Sequence, residues 1–120
     1  MAQATSQAFD DTNDAGFEDM AGMATSITIP SGKKGDVMVV FCAENSVSSP
    51  GYIQVRAMAG GSLLSSPVYL DAATSVTNHC ASFYKLNVPA GPRTVRMEWQ
   101  AGTEASLWDR NIIVIVNIHN

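Results

Sequence analysis

Positive charge is scarce in this chain of 120 residues. Seven Lys and Arg stand against eleven Asp and Glu, the net charge is −4, and Lys33 is the first basic residue. A nucleic-acid surface needs a clustered basic face, and the isolated pair Lys33-Lys34 in a turn supplies none. Charge of either sign is low, at 15% against a customary ~25%. Much of the surface must therefore be neutral polar or covered by a partner. Long hydrophobic runs are missing too. The longest, Val37 to Ala43, is far too short to span a bilayer. The N-terminus MAQATSQAFDD has neither the basic nor the apolar region of a secretory signal. The expectation is a chain made and folded in a cytoplasm, without membrane or nucleic-acid partners.

Cysteine and histidine number two each. Cys42 and Cys80 both sit inside strand-like runs and read as reduced, buried thiols acting as small hydrophobes; a disulfide would require their strands to be neighbours. His79 and His119 have no partner at metal-site spacing, and His119, next to the C-terminal residue, reads as a solvated side chain. His79 and Cys80 point to opposite faces of a regular strand, which separates them as a catalytic pair. Asp10-Asp11-Thr12-Asn13-Asp14-Ala15-Gly16 looks like a calcium loop but has Gly one place late for an EF-hand and Ala21 where its bidentate Glu should stand. It reads as an acidic, solvated turn. The chain has no G-x-S-x-G, no phosphate-binding loop and no G-x-G-x-x-G. These absences point to a protein that is not an enzyme and has no cofactor, metal ion or catalytic residue.

What the chain does have is alternation. Thr94-Val95-Arg96-Met97-Glu98-Trp99-Gln100 turns Val95, Met97 and Trp99 to one face and Arg96, Glu98 and Gln100 to the other. Further strand signals lie at Thr25–Ile29, Val37–Ala43, Tyr52–Met58, Pro67–Leu70, Ser75–Val88 and Asn111–His119, separated by turns such as Pro30-Ser31-Gly32 and Gly60-Gly61. Short strands around Gln3–Phe9 and Phe17–Met20 can be added. About eight to ten strands at this spacing make an all-β, antiparallel sandwich of jelly-roll type. Residues 1–20 form an arm and acidic turn belonging to the same domain, and residues 21–120 form the sandwich itself. A chain of this length buries roughly two thirds of its unfolded surface, enough for one core.

Two runs break the alternation. Val37–Ala43 and Ile112–Val116 are apolar at successive positions, hence on both faces. One face of an antiparallel sandwich sheet normally meets water. A second copy of the chain is the simplest cover, which makes Val37, Val39, Phe41, Ile112, Ile113, Val114, Ile115 and Val116 the expected oligomer interface. Trp108, beside Asp109 and Arg110, is a possible ligand contact that could stack on a sugar, although the group also suits a structural plug.

The stretches Val55-Arg56-Ala57, Gly60-Gly61 and Ser65-Ser66-Pro67, with His79-Cys80-Ala81-Ser82-Phe83, Val88-Pro89-Ala90-Gly91-Pro92-Arg93-Thr94-Val95, Met97-Glu98-Trp99-Gln100 and Asp109-Arg110, resemble a small jelly-roll domain of uncharacterised bacterial and phage proteins. The resemblance covers about Ile27 to Asn117 and rests on turn and core residues. More loosely, the architecture is similar to trimeric tumour-necrosis-factor-like and phage head-decoration (cement) jelly rolls. That likeness implies a homotrimeric structural protein of a bacteriophage virion, made in the host cytoplasm and decorating the capsid surface, with the major capsid protein as partner. Gln3, Thr5, Gln7 and Phe9 would then form a capsid-binding arm. The alternative is a carbohydrate- or receptor-binding module of a phage fibre or bacterial surface protein. If the trimer forms, light scattering at micromolar concentration gives about three times the chain mass; a clean monomer refutes it.

Overall fold

The computed structural model describes residues 2–6, 10–12, 16–47, 51–72, 77–101 and 105–120, with side chains for 16–45, 53–70, 78–101, 107 and 109–120. Its strands are β1 (Ala2–Ser6), β2 (Asp10–Thr12), β3 (Glu18–Val47), β4 (Gly51–Ala59), β5 (Ser62–Ala72), β6 (Thr77–Ala101) and β7 (Ala105–His119). All pairings are antiparallel, in the order β1-β7-β3-β6-β4-β5, with β2 also on β7.

β3 has 30 residues. Fully extended at ~3.3 Å per residue it would reach about 100 Å, twice the molecule's longest dimension of 49 Å. It therefore folds over, and the register shows where. Ile29 stands opposite Gly91, but the next pair is Lys34 opposite Pro89. Residues 30–33 of β3 thus face Ala90 alone, a bulge that bends the ribbon. Gly91, at φ 127°, sits in this bend. Gly35 follows it, and a Cβ there would lie 2.8 Å from Ile29 Cδ1 and 3.0 Å from Val116 Cγ1. The two arms of β3 are pressed together at a point where only glycine leaves room.

The bend converts one hydrogen-bonded sheet into two layers. The first arm of β3, the second arm of β6, β4 and β5 form one, in the order β3-β6-β4-β5. β1, β7, the second arm of β3 and the first arm of β6 form the other, in the order β1-β7-β3-β6. This is the strand order of an eight-stranded jelly roll, as expected from the alternation, with β2 as a short addition. Thr25–Ile29 and Val37–Ala43, separate in the sequence reading, are arms of one strand, because the bulge at 30–33 bends the chain and the pairing with β6 resumes at Lys34.

The core lies between the layers. Ile27, Ile53, Val55, Val95, Met97 and Trp99 come from one layer; Val37, Val39, Phe41, Phe83, Ile112 and Val114 come from the other. The in-out assignment of Val95, Met97 and Trp99 holds, although Glu98 on the opposite side is also buried.

Three expectations change here. Val37, Val39, Phe41, Ile112 and Val114 are buried in the chain's own core, and Val116 is partly buried against it. A second copy could meet only the other face, where Ile113 and Ile115 alternate with them. The N-terminal segment is not a free arm over Ala2–Ser6, where Gln3 pairs with Ile113 and Thr5 with Asn111; Gln7 and Phe9 lie outside the described residues. Cys42 and Cys80 are neither reduced nor buried. They are direct partners across β3 and β6, their Cα atoms 4.1 Å apart, and they form a disulfide. Both face outward, Cys42 half-buried and Cys80 exposed.

The disulfide joins residues 38 apart in sequence, a loop whose closure entropy is worth about 2–4 kcal/mol on the chain-entropy account. Cys42→Ser with Cys80→Ser should lower the urea-unfolding free energy by that amount. Alkylation in denaturant should modify no thiol before reduction and two after it; two thiols without reductant would remove the bridge. Trp99→Ala, which empties the largest buried site, should cost about 3–5 kcal/mol in the same assay.

Candidate functional site

The two outer faces of the sandwich differ in chemistry. On the β1-β7-β3-β6 layer the register aligns Tyr84, Met38 and Ile115 in one row and Ser82, Val40 and Ile113 in the next. Tyr84, Met38 and Ile115 are 60%, 40% and 40% exposed. The face is apolar, with the disulfide above it.

The outer face of the other layer is polar, and cross-strand register builds it row by row. Tyr69 on β5 pairs with Gln54 on β4, which pairs with Gln100 on β6. Their side chains share one face because direct antiparallel partners do. Gln100 Nε2 donates to Gln54 Oε1 at 2.6 Å, and Tyr69 is 66% exposed. In the next row Arg56 lies opposite Glu98, which lies opposite Asp19. Arg56 Nε and Nη2 both reach Glu98 Oε1 at 2.6 Å. Arg96 completes the group, with Nη2 3.3 Å from Glu98 Oε2, Nε 3.3 Å from Asp19 Oδ1, and Nη1 donating to Gly60 O at 2.7 Å. Two cations and two carboxylates thus balance. Phe17 lies under Arg56, whose guanidinium carbon is 4.0 Å from the ring centroid, a cation–π contact that holds the guanidinium in place.

Local irregularity shapes this face. Between Val55 opposite Val68 and Ala57 opposite Leu64, the β4–β5 pairing shifts register. The extra residues are Ser65-Ser66-Pro67, with Ser65 at φ 45°. This bulge faces Arg56 and frees Ser65 Oγ to accept the Tyr84 N–H at 3.2 Å, a link from β5 to the other layer. Only the pairing of strands reveals such a surface, since Tyr69, Gln54, Gln100, Arg56, Glu98 and Asp19 come from four strands. The sequence signal available for it was the polar half of each alternating run, Gln54 and Arg56 in one and Arg96, Glu98 and Gln100 in the other.

The residues singled out by sequence fall elsewhere. The Trp108 backbone stands opposite Glu44 at one end of β7, and its side chain lies outside the described set. Arg110, two residues on, is buried and donates from Nη2 to Ala21 O at 2.7 Å; this is a structural use of the cation. His79 faces opposite to Cys80, half-buried. His119, expected to be solvated, is engaged: Nε2 is 3.0 Å from Asp36 Oδ1, and Asp36 also accepts the Asn87 N–H at 2.9 Å. Asp10–Thr12 of the acidic turn pairs with Leu107–Ala105 of β7, while Asn13–Ala15 lies outside the described residues. Among the described residues no three His, Cys, Asp or Glu side chains cluster to hold a metal ion.

The Asp36–His119 pair ties β7 to β3 and has a pH signature. The Asn87 amide first, and the His119 ring second, hold the Asp36 carboxyl below its usual value of 3.8. The hydrogen bond to Asp36 first, and the Asn120 carbonyl second, raise His119 above 6.5. A raised histidine contributes its stability below its unfolded value and loses it as pH rises through the folded one; a depressed carboxylate does the reverse at low pH. Urea midpoints should therefore hold between these limits, fall as pH climbs past 6.5, and lose that upper dependence in His119→Gln. An unchanged profile in the variant would show that the pair is not the cause.

No protein-family model matches the chain, and no curated protein sequence does. Solved structures with similar folds include the C-terminal domain of EclA, a sugar-binding protein (12% identity, 90% of this chain and 79% of that one, TM-score 0.45). A second is TmCBM61 in complex with β-1,4-galactotriose (10%, 75% and 59%, TM-score 0.43). A third is the C-terminal CBM6 of LamC, a laminarinase of Zobellia galactanivorans (12%, 92% and 97%, TM-score 0.42). The chain spans less than two thirds of the TmCBM61 chain. At these identities and scores the similarities say nothing of a ligand, and the jelly-roll assignment rests on strand order.

Proposed function

We propose that this chain is a non-catalytic carbohydrate-binding module whose site is the outer face of the β3-β6-β4-β5 layer. The observation that carries the reading is Tyr69, exposed on that face beside the Gln54–Gln100 amide pair and in line with the balanced Arg56–Glu98–Arg96–Asp19 group. A saccharide presents apolar C–H patches rimmed by hydroxyls. An exposed aromatic ring accepts the first, with an apolar body and a polar tip. Fixed amides and paired charges, which both donate and accept, suit the second. Their mutual hydrogen bonds hold these groups in place, so little ordering cost falls on binding. The Cys42–Cys80 bridge supports a working place outside the reducing cytoplasm.

A second reading, a self-associating decoration subunit of a virion, draws support from the apolar face of Met38, Val40, Ile113, Ile115 and Tyr84. A second copy would be the occupant, as in the homotrimer expected from the resemblance. The polar face gives that reading no role.

Affinity electrophoresis against a panel of soluble polysaccharides tests the choice. The wild-type chain should be retarded by at least one. Tyr69→Ala should weaken binding about tenfold, the ~1.4 kcal/mol typical of losing one aromatic contact. Met38→Ser should leave it unchanged. Retardation by no polysaccharide, with co-sedimentation on assembled capsids, would replace the module by the decoration subunit.

A further inference from the structure

At one end of the sandwich, where β6 bends past the β4–β5 turn, a cavity of about 130 Å³ is lined by Ala59, Ser62, Lys85, Val88, Pro89 and Arg93. Its size is comparable to the ~150 Å³ that accepts a benzene-sized guest. Its chemistry is one-sided: two cations and a hydroxyl, with no carboxylate in the lining. Neighbouring acids are engaged elsewhere, Asp36 with Asn87 and His119, and Glu98 and Asp19 with Arg56 and Arg96. Arg93 is fixed by its own turn, Nη2 donating to Pro89 O at 2.9 Å. Its Nε is buried with no hydrogen-bond partner among the described residues, an arrangement native proteins rarely keep without a use. Arg93 also borders a second depression of about 170 Å³, lined with Ser26, Thr28 and Thr94 on the outer face of the polar layer.

We propose that the Lys85–Arg93 cavity binds a compact oxyanion, the carboxylate or sulfate of an acidic saccharide. A guanidinium recognises such a group through parallel N–H donors, an ammonium adds a point charge, and the Ser62 hydroxyl can donate a further bond. The hydroxyls of Ser26, Thr28 and Thr94 lie on the far side of Arg93, suited to the neutral part of the same sugar. The oxyanion site stands on the cavity alone; its assignment to a saccharide rests on the reading of the polar face given above.

The full chain is titrated with sodium sulfate, against sodium chloride at equal ionic strength, and followed by amide chemical shifts. Separate titrations use an oligogalacturonide and its neutral galactose counterpart. Sulfate should saturate, with the largest shifts at Ser62, Lys85 and Arg93, and Lys85→Ala and Arg93→Gln should each weaken it about tenfold or more. The oligogalacturonide should bind about tenfold tighter than the neutral oligomer, and Lys85→Ala should erase that preference. Lys85→Arg should retain it, which separates loss of the charge from a folding defect in Lys85→Ala. Sulfate shifts that do not saturate, or that persist in Lys85→Ala, overturn the site. Saturable sulfate with no preference for the uronate overturns the saccharide source and leaves an anion site. Saturable sulfate with no binding of any saccharide overturns the polar-face reading and leaves the cavity standing.

Discussion

The antiparallel pairing of β3 with β6 is the constraint on which the rest depends. These two strands run the full length of both layers, so every other element takes its place from them. β7 docks on the second arm of β3, β1 and β2 dock on β7, β4 docks on the second arm of β6, and β5 docks on β4. Because side chains alternate strictly, a slip of one residue in the ribbon would exchange core and surface in both layers at once. The bend at 30–33 opposite Ala90 carries the parity from one layer to the other, since Ile29 and Val37 are an even number of residues apart. It lets Ile29 in one layer and Val37 in the other both point inward. The cross-strand disulfide closes the same ribbon near one end, so the register is pinned in the middle and near that end by quite different means: a steric one at Gly35 and a covalent one at Cys42–Cys80.

Much of this could be read from the sequence because alternation is a local signal. Met97 and Trp99 were placed in the core, and Arg96 and Gln100 outside, from seven residues alone. The strand count was legible for the same reason. What remained hidden is non-local. Val37–Ala43 is apolar throughout, so no pattern within it could tell the core face from the outer one; its pairing with Ile112 and Val114 decides that. The cysteines, each mid-strand, gave no sign of facing each other, since neighbourhood across β3 and β6 depends on the register of the whole ribbon. Glu98 looked like an ordinary outward acid. It is buried because Arg56 from another strand, itself backed by Phe17, closes over it. Sites assembled from one residue on each of several strands leave no spacing motif, and that is why Tyr69 reads in the sequence as one of three scattered tyrosines while Trp108 is conspicuous in a local Trp-Asp-Arg cluster.

The contrast between the two outer faces follows from who neighbours whom. In the β1-β7-β3-β6 layer the two most apolar runs, 37–43 and 112–116, are adjacent central strands, so their surplus hydrophobicity is concentrated on one outer surface. In the other layer the central strands β4 and β6 have polar outward positions, and their rows pair amide with amide and guanidinium with carboxylate. Side chains committed to one another in this way are costly to leave desolvated by a flat apolar partner, since breaking a half-buried pair strands both members. They are well suited to a ligand that brings its own donors and acceptors. A greasy face and a hydrogen-bonding face on one small sandwich therefore favour different partners, and a polar ligand and a second copy need not compete for the same surface.

The position of the bend carries this division one step further. Pro89, Gly91 and Pro92 are the residues that turn β6 from one layer to the other, and the same turn brings Arg93 to the junction of the cavity beside Lys85 and the depression lined by Ser26, Thr28 and Thr94. A regular strand would have carried Arg93, opposite Ile27, into the core. The bend instead lets its guanidinium reach back to the Pro89 carbonyl at the rim. The feature that makes the jelly roll close is thus also the feature that places a cation at the end of the polar face. Any change that straightened the bend would be expected to disturb the core through Gly35 and the cationic rim through Arg93 together, because one piece of backbone geometry sets both.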